Sequence, residues 1–253
     1  MKKLLILGGT GDAQQLAAAI QQLAGLTVIS SLAGRTQQPV LPDGQVHTGG
    51  FGGKPGLIDY LRDQQIDLVI DATHPFARNI SDNAAAAVAD LNLPFLIFER
   101  SAWSSTPTDR WLEVPDHITA AELLPDLAQR IFLTIGRQEV GCYAHLTNLW
   151  FLMRSIDPPD LPAIPPGEIL LAKGPFDLNA ERELLLKYQI QAIVSKNSGG
   201  EATYAKILAA RALGLPVVMI QRPPAPPGER VTNLAAAIEW LHNQLGYSTA
   251  SSF

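Results

Sequence analysis

The first residues of this chain that could do chemistry lie in a glycine-rich turn near its start. Gly8, Gly9, Thr10, Gly11 and Asp12 follow an apolar run and precede apolar residues at helical spacing. A strand, a glycine turn and a helix in this order present backbone N–H groups and the positive end of a helix dipole to a phosphate. The turn therefore predicts a site for the pyrophosphate of a nicotinamide dinucleotide. A tight connection in any α/β fold is the alternative.

The glycine spacing departs from the strict dinucleotide-binding pattern. A G-x-G-x-x-G motif that starts at Gly9 needs glycine at position 14, where this chain has Gln14. The G-x-x-G spacing from Gly8 to Gly11 is nearer to the variant found in NADP-binding reductases. Short patterns of this kind also arise by chance, so the choice of nucleotide depends on residues further along the chain.

The end of the second predicted strand favours NADP over NAD. An NAD-binding unit places Asp or Glu there, to bind the ribose 2′-hydroxyl. This chain has no acid at that point but has Ser31 and Arg35. A hydroxyl and a guanidinium suit the additional 2′-phosphate of NADP. A solvated loop arginine is the alternative for Arg35.

Two further segments are expected near the cofactor. The run Gly49, Gly50, Phe51, Gly52 and Gly53 precedes a predicted helix, and it suggests a close backbone approach to cofactor or substrate, with a hinge as the alternative. The third predicted strand ends at Thr73 and His74, and the carboxyl ends of parallel strands are where open α/β sheets bind ligands. His74 is a candidate general acid, a substrate hydrogen-bond donor or a capping group.

Four cations follow predicted strands in the second half of the chain, namely Arg137, Lys173, Lys196 and Arg222. In a parallel sheet they line one rim. Because the net charge of the chain is −5, such a rim suggests a small polyanionic ligand. At least one of the four is expected to be solvated, since lysine and arginine are common on loops.

The strand–helix rhythm predicts an α/β fold with two Rossmann-like domains, each a mostly parallel sheet flanked by helices, and a cleft between them. Residues 1–102 form the predicted NADP-binding domain, and residues 112–247 form the domain on the substrate side of the cleft. Residues 101–117 show no helical period and are predicted to be the link.

Composition excludes several function classes. The acidic net charge and the absence of a basic, aromatic stripe argue against nucleic-acid binding. No stretch approaches the roughly 18 apolar residues of a membrane span. The five histidines are scattered, which predicts no metal, and the single cysteine suits a reducing cytoplasm. We therefore expect a cytoplasmic protein that acts on a small molecule, as a monomer or a small homo-oligomer.

Several motifs together resemble the precorrin-6A and cobalt-precorrin-6A reductase family of cobalamin biosynthesis. They start at Ile6, Ser31, Gly49, Asp71, Thr134 and Lys196, and read ILGGT, SLAGR, GGFGG, DATHPFA, TIGR and KNSGG. The resemblance implies that NADPH delivers a hydride to a ring C=C bond of a tetrapyrrole that bears several carboxylates. The expected substrate ligands are Arg137, Lys173, Lys196, Asn197, Ser198 and Arg222. His74, Lys196 and bound water are the candidate proton donors. The family often has a hydroxyl residue and an acid where this chain has Gly11 and Asp12, which is a departure that tightens the turn.

Two other functions are weighed against this one. An NADPH-dependent reductase of a small carbonyl compound usually carries Tyr-x-x-x-Lys, but no tyrosine of this chain has lysine four residues later. A non-catalytic NADP-binding redox sensor needs the first domain but has no use for the rim of cations.

Overall fold

The structure is a computed structural model that describes residues 1–21, 23–34, 44–160 and 162–247. The strands are β1 (Lys2–Leu7), β2 (Leu26–Leu32), β3 (Gln45–Thr48), β4 (Leu68–Asp71), β5 (Phe95–Phe98), β6 (Arg110–Val114), β7 (Arg130–Thr134), β8 (Trp150–Ser155), β9 (Gly167–Leu171), β10 (Ala192–Lys196), β11 (Pro216–Ile220) and β12 (Glu229–Val231). The helices are α1 (Gly11–Ile20), α2 (Gly53–Asp63), α3 (Arg78–Leu91), α4 (His117–Leu127), α5 (Leu178–Lys187), α6 (Ala205–Leu213) and α7 (Leu234–Leu245), with a 3₁₀ helix at Val140–Tyr143.

The chain divides into two compact units, each with its own parallel sheet. The first unit contains Met1–Ser101 and the chain from Pro224 onward, and the second contains Ala102–Pro223. The prediction of two Rossmann-like α/β domains is confirmed. The division differs from the predicted boundaries, which placed the chain up to residue 247 in the second domain. The last segment belongs to the first unit because β12 pairs with β5 and α7 packs against α1.

The first sheet has the strand order β12-β5-β4-β1-β2-β3. This is the Rossmann order 3-2-1-4-5, with a sixth strand supplied by the C-terminal segment. One face packs against α1 and α7, and its core includes Leu16, Trp240 and Leu241. The other face packs against α2 and α3, and its core includes Leu57 and Val88. Because helices cover both faces, the central strands are continuously apolar.

The second sheet has the order β6-β11-β10-β7-β8-β9. Its edge strand β6 lies inside the segment that was predicted from the sequence to be an irregular link. Arg110–Val114 pairs in parallel with Pro216–Ile220. Sequence patterns miss this strand because it is a half-exposed edge with the sequence RWLEV, rather than a buried apolar run.

Side-chain caps fix the starts of two helices. Asp177 and Asn233 accept hydrogen bonds from backbone N–H groups in the first turns of α5 and α7. The helix that follows Pro75 begins at Arg78. Within the described ranges, no helix is both long enough and apolar enough to cross a bilayer.

Candidate active-site elements

The glycine turn after β1 is tied to the strands on both sides of it. The Thr10 hydroxyl accepts a hydrogen bond from the Ala13 backbone N–H (3.1 Å) and donates one to the Ala72 carbonyl at the end of β4 (2.8 Å). The Gly8 backbone N–H donates to the Ser31 carbonyl of β2 (2.9 Å). Thr10 is therefore both the cap of α1 and the link to β4, so the turn is held at the point where the order of the strands reverses.

None of the described residues fills the space above this turn. Gly9 has a φ of +101°, and a Cβ atom built on it would meet no heavy atom of those residues within 4 Å. The same holds for a Cβ atom built on Gly11. Among the described residues, nothing therefore blocks the N-terminus of the ten-residue helix α1, as an anion-binding turn requires. These residues fit the pyrophosphate of a dinucleotide.

An ion pair beside the turn was not foreseen from the sequence. Asp12 lies in the first turn of α1, and its Oδ2 atom is 2.6 Å from Nη1 of Arg100, just after β5. A lone carboxylate there would repel a bound phosphate, and the guanidinium offsets that charge. The position of Arg100, two residues after the apolar run Phe95–Phe98, was the available signal.

The turn after β4 is organised by a buried carboxylate. Asp71 is 3% exposed, and its Oδ1 atom accepts hydrogen bonds from the backbone N–H (3.0 Å) and the hydroxyl (2.7 Å) of Thr73. The Thr73 hydroxyl also contacts the Ser81 hydroxyl at 3.2 Å. Thr73 is thereby held in one rotamer, and the direction of the chain at His74 is fixed with it.

The hydrogen bonding of His74 distinguishes its two ring nitrogens. The Phe76 backbone N–H donates to His74 Nδ1 at 3.2 Å. An Nδ1 atom that accepts carries no proton, so we assign the neutral tautomer with its proton on Nε2. Forming the imidazolium would place two donors against each other at Nδ1. His74 is therefore built to donate a hydrogen bond from Nε2.

The glycine-rich segment before α2 carries an aromatic cluster. The Phe51 ring stacks on His47 (centroids 4.7 Å apart) and meets Tyr60 at an angle (5.0 Å). Gly50 and Gly52 flank Phe51 and are exposed. Ser31 is buried in β2, in register with His47 on β3. The predicted phosphate ligand Arg35 lies outside the described residues.

At the carboxyl edge of the second sheet, Lys196, which the sequence predicted, lies beside titratable side chains that sequence reasoning missed. Lys196 ends β10, and its Nζ atom lies 3.0 Å from Oε2 of Glu139, the residue directly before the 3₁₀ helix. Nearby, His117 Nδ1 and the buried Tyr143 hydroxyl are 3.1 Å apart. Burial, helped by the charge of Lys196, lowers the pKa of His117 to about 4. Burial raises the pKa of Tyr143 above its usual value.

Four of the six predicted substrate ligands come together, and the other two follow different strands. Lys196, Asn197, Ser198 and Arg222 come together after the adjacent strands β10 and β11, and Arg222 donates hydrogen bonds to the Asn197 and Ser198 carbonyls. Arg137 follows β7, which is the other neighbour of β10. Lys173 follows the edge strand β9 and is exposed. Three interstrand spacings, about 14 Å, separate β9 from β10.

In the part of the chain that the structure describes, no group of three or more His, Cys, Asp or Glu side chains is arranged to hold a metal ion. Cys142 lies on the 3₁₀ helix and is exposed.

Comparisons with known proteins cover nearly the whole chain. Residues 3–242 match the family model described as precorrin-6x reductase CbiJ/CobK. A precorrin-6A reductase of Rhodococcus erythropolis is 51% identical over 95% of this chain and 98% of its own length. A cobalt-precorrin-6A reductase of Priestia megaterium is 27% identical over 95% of this chain and 98% of its own. A solved structure, "CobK precorrin-6A reductase", is 40% identical and superposes with a TM-score of 0.90, over 96% of this chain and 97% of that one. The chain therefore belongs to the precorrin-6x reductase family and is an oxidoreductase.

Proposed function

We propose that this protein uses NADPH to reduce a ring C=C bond of precorrin-6A, giving precorrin-6B in cobalamin biosynthesis in the cytoplasm. The observation that carries the proposal is its 51% identity, over 95% of its length, to a precorrin-6A reductase. Its identity to the cobalt-precorrin-6A reductase of Priestia megaterium is only 27%. That difference favours the metal-free substrate over the cobalt form.

The choice of NADPH rests on the first unit. No described residue blocks the helix N-terminus above Gly9 and Gly11, which suits the pyrophosphate. The carboxylate of Asp12 is offset by Arg100, so the turn carries no net negative charge of its own. The preference for a 2′-phosphate over a free ribose hydroxyl rests on the sequence after β2, where there is no acid and Arg35 is present.

The chemistry requires one hydride and one proton. When bound, the cofactor supplies the hydride from its nicotinamide ring, and the hydride adds to one carbon of the C=C bond. A proton then adds to the neighbouring carbon, which completes the reduction. The protein's own residues bind and orient the macrocycle and supply that proton.

Lys196 is the proton donor we propose. Its ammonium group is held by Glu139 at 3.0 Å, and its side chain is 11% exposed, so the donor is shielded and oriented. His74, in contrast to Lys196, is assigned as a neutral side chain, because its Nδ1 atom accepts a hydrogen bond from the Phe76 backbone N–H. We assign His74 to orientation, as a hydrogen-bond donor through Nε2. The cations Arg137 and Lys173 are left to bind the peripheral carboxylates of the macrocycle.

The test is anaerobic mixing of the purified protein with NADPH and either precorrin-6A or its cobalt form, followed by the nicotinamide absorbance. We expect NADPH oxidation with both and a higher kcat/KM with precorrin-6A. Faster turnover of the cobalt form would reverse the substrate assignment. Tight NADPH binding without oxidation in either mixture would refute the reductase function and favour a redox sensor.

A further inference from the structure

The loop that follows β10 is held by two side chains from outside it. This segment, residues 196–200, is called the substrate loop here because it starts at Lys196 and contains the predicted ligands Asn197 and Ser198. Its outside partners are Trp103 and Arg222, which are separated by more than one hundred residues in sequence but meet at the same loop. Neither partner belongs to a glycine-rich motif of the chain.

Trp103 forms a reciprocal pair with Asn197. The Trp103 backbone N–H donates to Asn197 Oδ1 (2.8 Å), and Asn197 Nδ2 donates back to the Trp103 carbonyl (3.0 Å). The Trp103 indole N–H donates to the Gly200 carbonyl (2.8 Å). Both ends of the Asn197 amide are therefore engaged within the protein. Asn197 shapes the loop, whereas the sequence had predicted that it binds the substrate.

Lys206 packs against the Trp103 ring. Lys206 is 3% exposed, and its Nζ atom lies 4.8 Å from the centroid of the indole. The same ammonium group donates to the Thr203 carbonyl (2.9 Å). Burial lowers the pKa of Lys206 to about 7, but the contact of its amino group with the ring face still favours one orientation of the indole. The donor that reaches Gly200 is thus held in place.

Arg222 spans two consecutive carbonyls of the loop with one edge of its guanidinium. Its Nε atom donates to the Asn197 carbonyl (2.8 Å), and its Nη2 atom donates to the Ser198 carbonyl (3.0 Å). Two nitrogen atoms of one planar guanidinium make these bonds in a fixed geometry, which the single nitrogen of a lysine ammonium cannot reproduce. This use of the side chain differs from the predicted one, in which Arg222 binds a carboxylate of the substrate.

We propose that Trp103 and Arg222 are positioning residues, which fix the substrate loop so that Lys196 meets the macrocycle in one geometry. The proposal rests on the proposed function, since it assigns the loop to the substrate. Both partners lie near the ends of the second unit, close to Ser101 and Pro224. The loop is held by the segments where the chain enters and leaves that unit.

The decisive comparison is Arg222→Lys with Arg222→Gln, with Arg182→Lys on the exposed face of α5 as the matched control. We expect Arg222→Lys to lower kcat/KM for precorrin-6A at least tenfold, as much as Arg222→Gln, because both lose the forked contact. The Kd for NADPH should stay within twofold of wild type. Amide exchange in residues 196–200 should accelerate at least tenfold. Arg182→Lys should change none of these quantities.

A second substitution, at Trp103, tests the proposal independently if the Arg222 variants misfold. Trp103→Phe keeps an aromatic ring beside Lys206 and the backbone groups that pair with Asn197, and it removes the indole N–H together with the pyrrole part of the ring. We expect a three- to tenfold loss of kcat/KM, and faster exchange confined to the end of the loop near Gly200.

The outcomes separate this proposal from the proposed function. Arg222→Lys with wild-type kcat/KM and Arg222→Gln with a raised KM would make Arg222 a charge ligand of the substrate, and would overturn the positioning role. Faster loop exchange with unchanged kcat/KM would overturn it too. If the wild-type protein does not oxidise NADPH with either tetrapyrrole, the reductase function fails. Even then, unchanged amide exchange of the substrate loop in both Arg222 variants would by itself refute the positioning role of Arg222.

Discussion

The two sheets share a strand order around their switch points but differ in the segment that comes after the central strand. In the first unit, β1 leads through the glycine turn into the ten-residue helix α1. In the second unit, β7 leads into a four-residue 3₁₀ helix, and the sheet edge there is occupied by Lys196, Glu139 and His117. The carboxyl edge of the first sheet, called the first edge, presents backbone N–H donors and the N-terminus of a helix. The carboxyl edge of the second sheet, called the second edge, presents charged side chains.

This difference suits two anionic ligands of different shape. A pyrophosphate is compact, so a few N–H groups and one helix N-terminus can surround it. A macrocycle carries separated carboxylates, so its recognition needs side chains spread along an edge, as Arg137 and Lys173 are along the second sheet. Substitutions at the first edge should therefore change nucleotide binding, and those at the second edge should change turnover.

The largest effect is expected at Lys196. Both Lys196→Met and Lys196→Arg should lower kcat by about 10²- to 10³-fold, since a guanidinium keeps the charge but does not give up its proton. Single-turnover NADPH oxidation measures this loss, and the NADPH Kd should not change. Lys187→Met, on the exposed face of α5, serves as the control and should change kcat less than twofold. A Lys196→Arg variant that keeps wild-type kcat would leave Lys196 a carboxylate ligand and make water the proton donor.

At the first edge, Gly9→Ala should act on the nucleotide alone. The new Cβ enters the open space above the turn, at a φ that L-residues rarely adopt. We expect the NADPH Kd to rise about thirtyfold, which corresponds to roughly 2 kcal/mol. Gly246→Ala is the matched control, because Gly246 also has positive φ and open space but caps α7. Calorimetric titration should separate the two variants, and an equal rise in Kd for both would remove the glycine turn from the cofactor site.

The sequence predicted the first edge better than the second. Gly8, Gly9 and Thr10 form one continuous motif, so a local pattern contains the whole turn. At the second edge the sequence placed Lys196 and Arg222 on one rim, but it did not predict that Trp103 and Glu139 contact this region, because only the tertiary structure brings them there. The return of β12 to the first sheet was also missed, since a three-residue strand after a proline-rich segment has no periodicity to detect.

The half-buried His117 at the second edge should also make stability depend on pH. The pKa of His117 is lowered from 6.5 to about 4, so the folded protein binds that proton only below about pH 4, whereas the unfolded chain binds it below about pH 6.5. Stability must therefore fall as the pH drops from 6.5 to 4. We expect His117→Gln to remove roughly 1–2 kcal/mol of that loss, less than the full shift because the ring is partly solvated. Urea unfolding at pH 4.5, 5.5 and 7 measures it. The exposed His145→Gln variant is the control, and equal pH slopes for both variants would contradict the assignment.

His74 is the one side chain at the first edge that we expect to touch the reaction, and its effect should be modest. His74→Ala should lower kcat/KM about three- to tenfold, the contribution of one neutral hydrogen bond. His74→Gln should recover part of the loss, since its amide can donate from a position near Nε2. Nitrogen-15 NMR of the histidine ring should find Nδ1 unprotonated at pH 7. A protonated Nδ1 together with a hundredfold loss of kcat/KM in His74→Ala would make His74 the general acid. Residues at the first edge would then also take part in proton transfer.

The smallest effect is expected at Arg100, and it tests whether charge matters at an edge built from backbone. Arg100→Gln leaves the Asp12 carboxylate unpaired in the first turn of α1, so NADPH should bind about three- to fivefold more weakly at low salt, in keeping with the modest value of a partly exposed ion pair. High salt should reduce the difference. The double variant Asp12→Asn with Arg100→Gln should restore the wild-type Kd, because neither charge is then left alone. If the double variant binds as weakly as Arg100→Gln, Arg100 contacts the phosphate directly, and the first edge uses a side-chain cation as the second does.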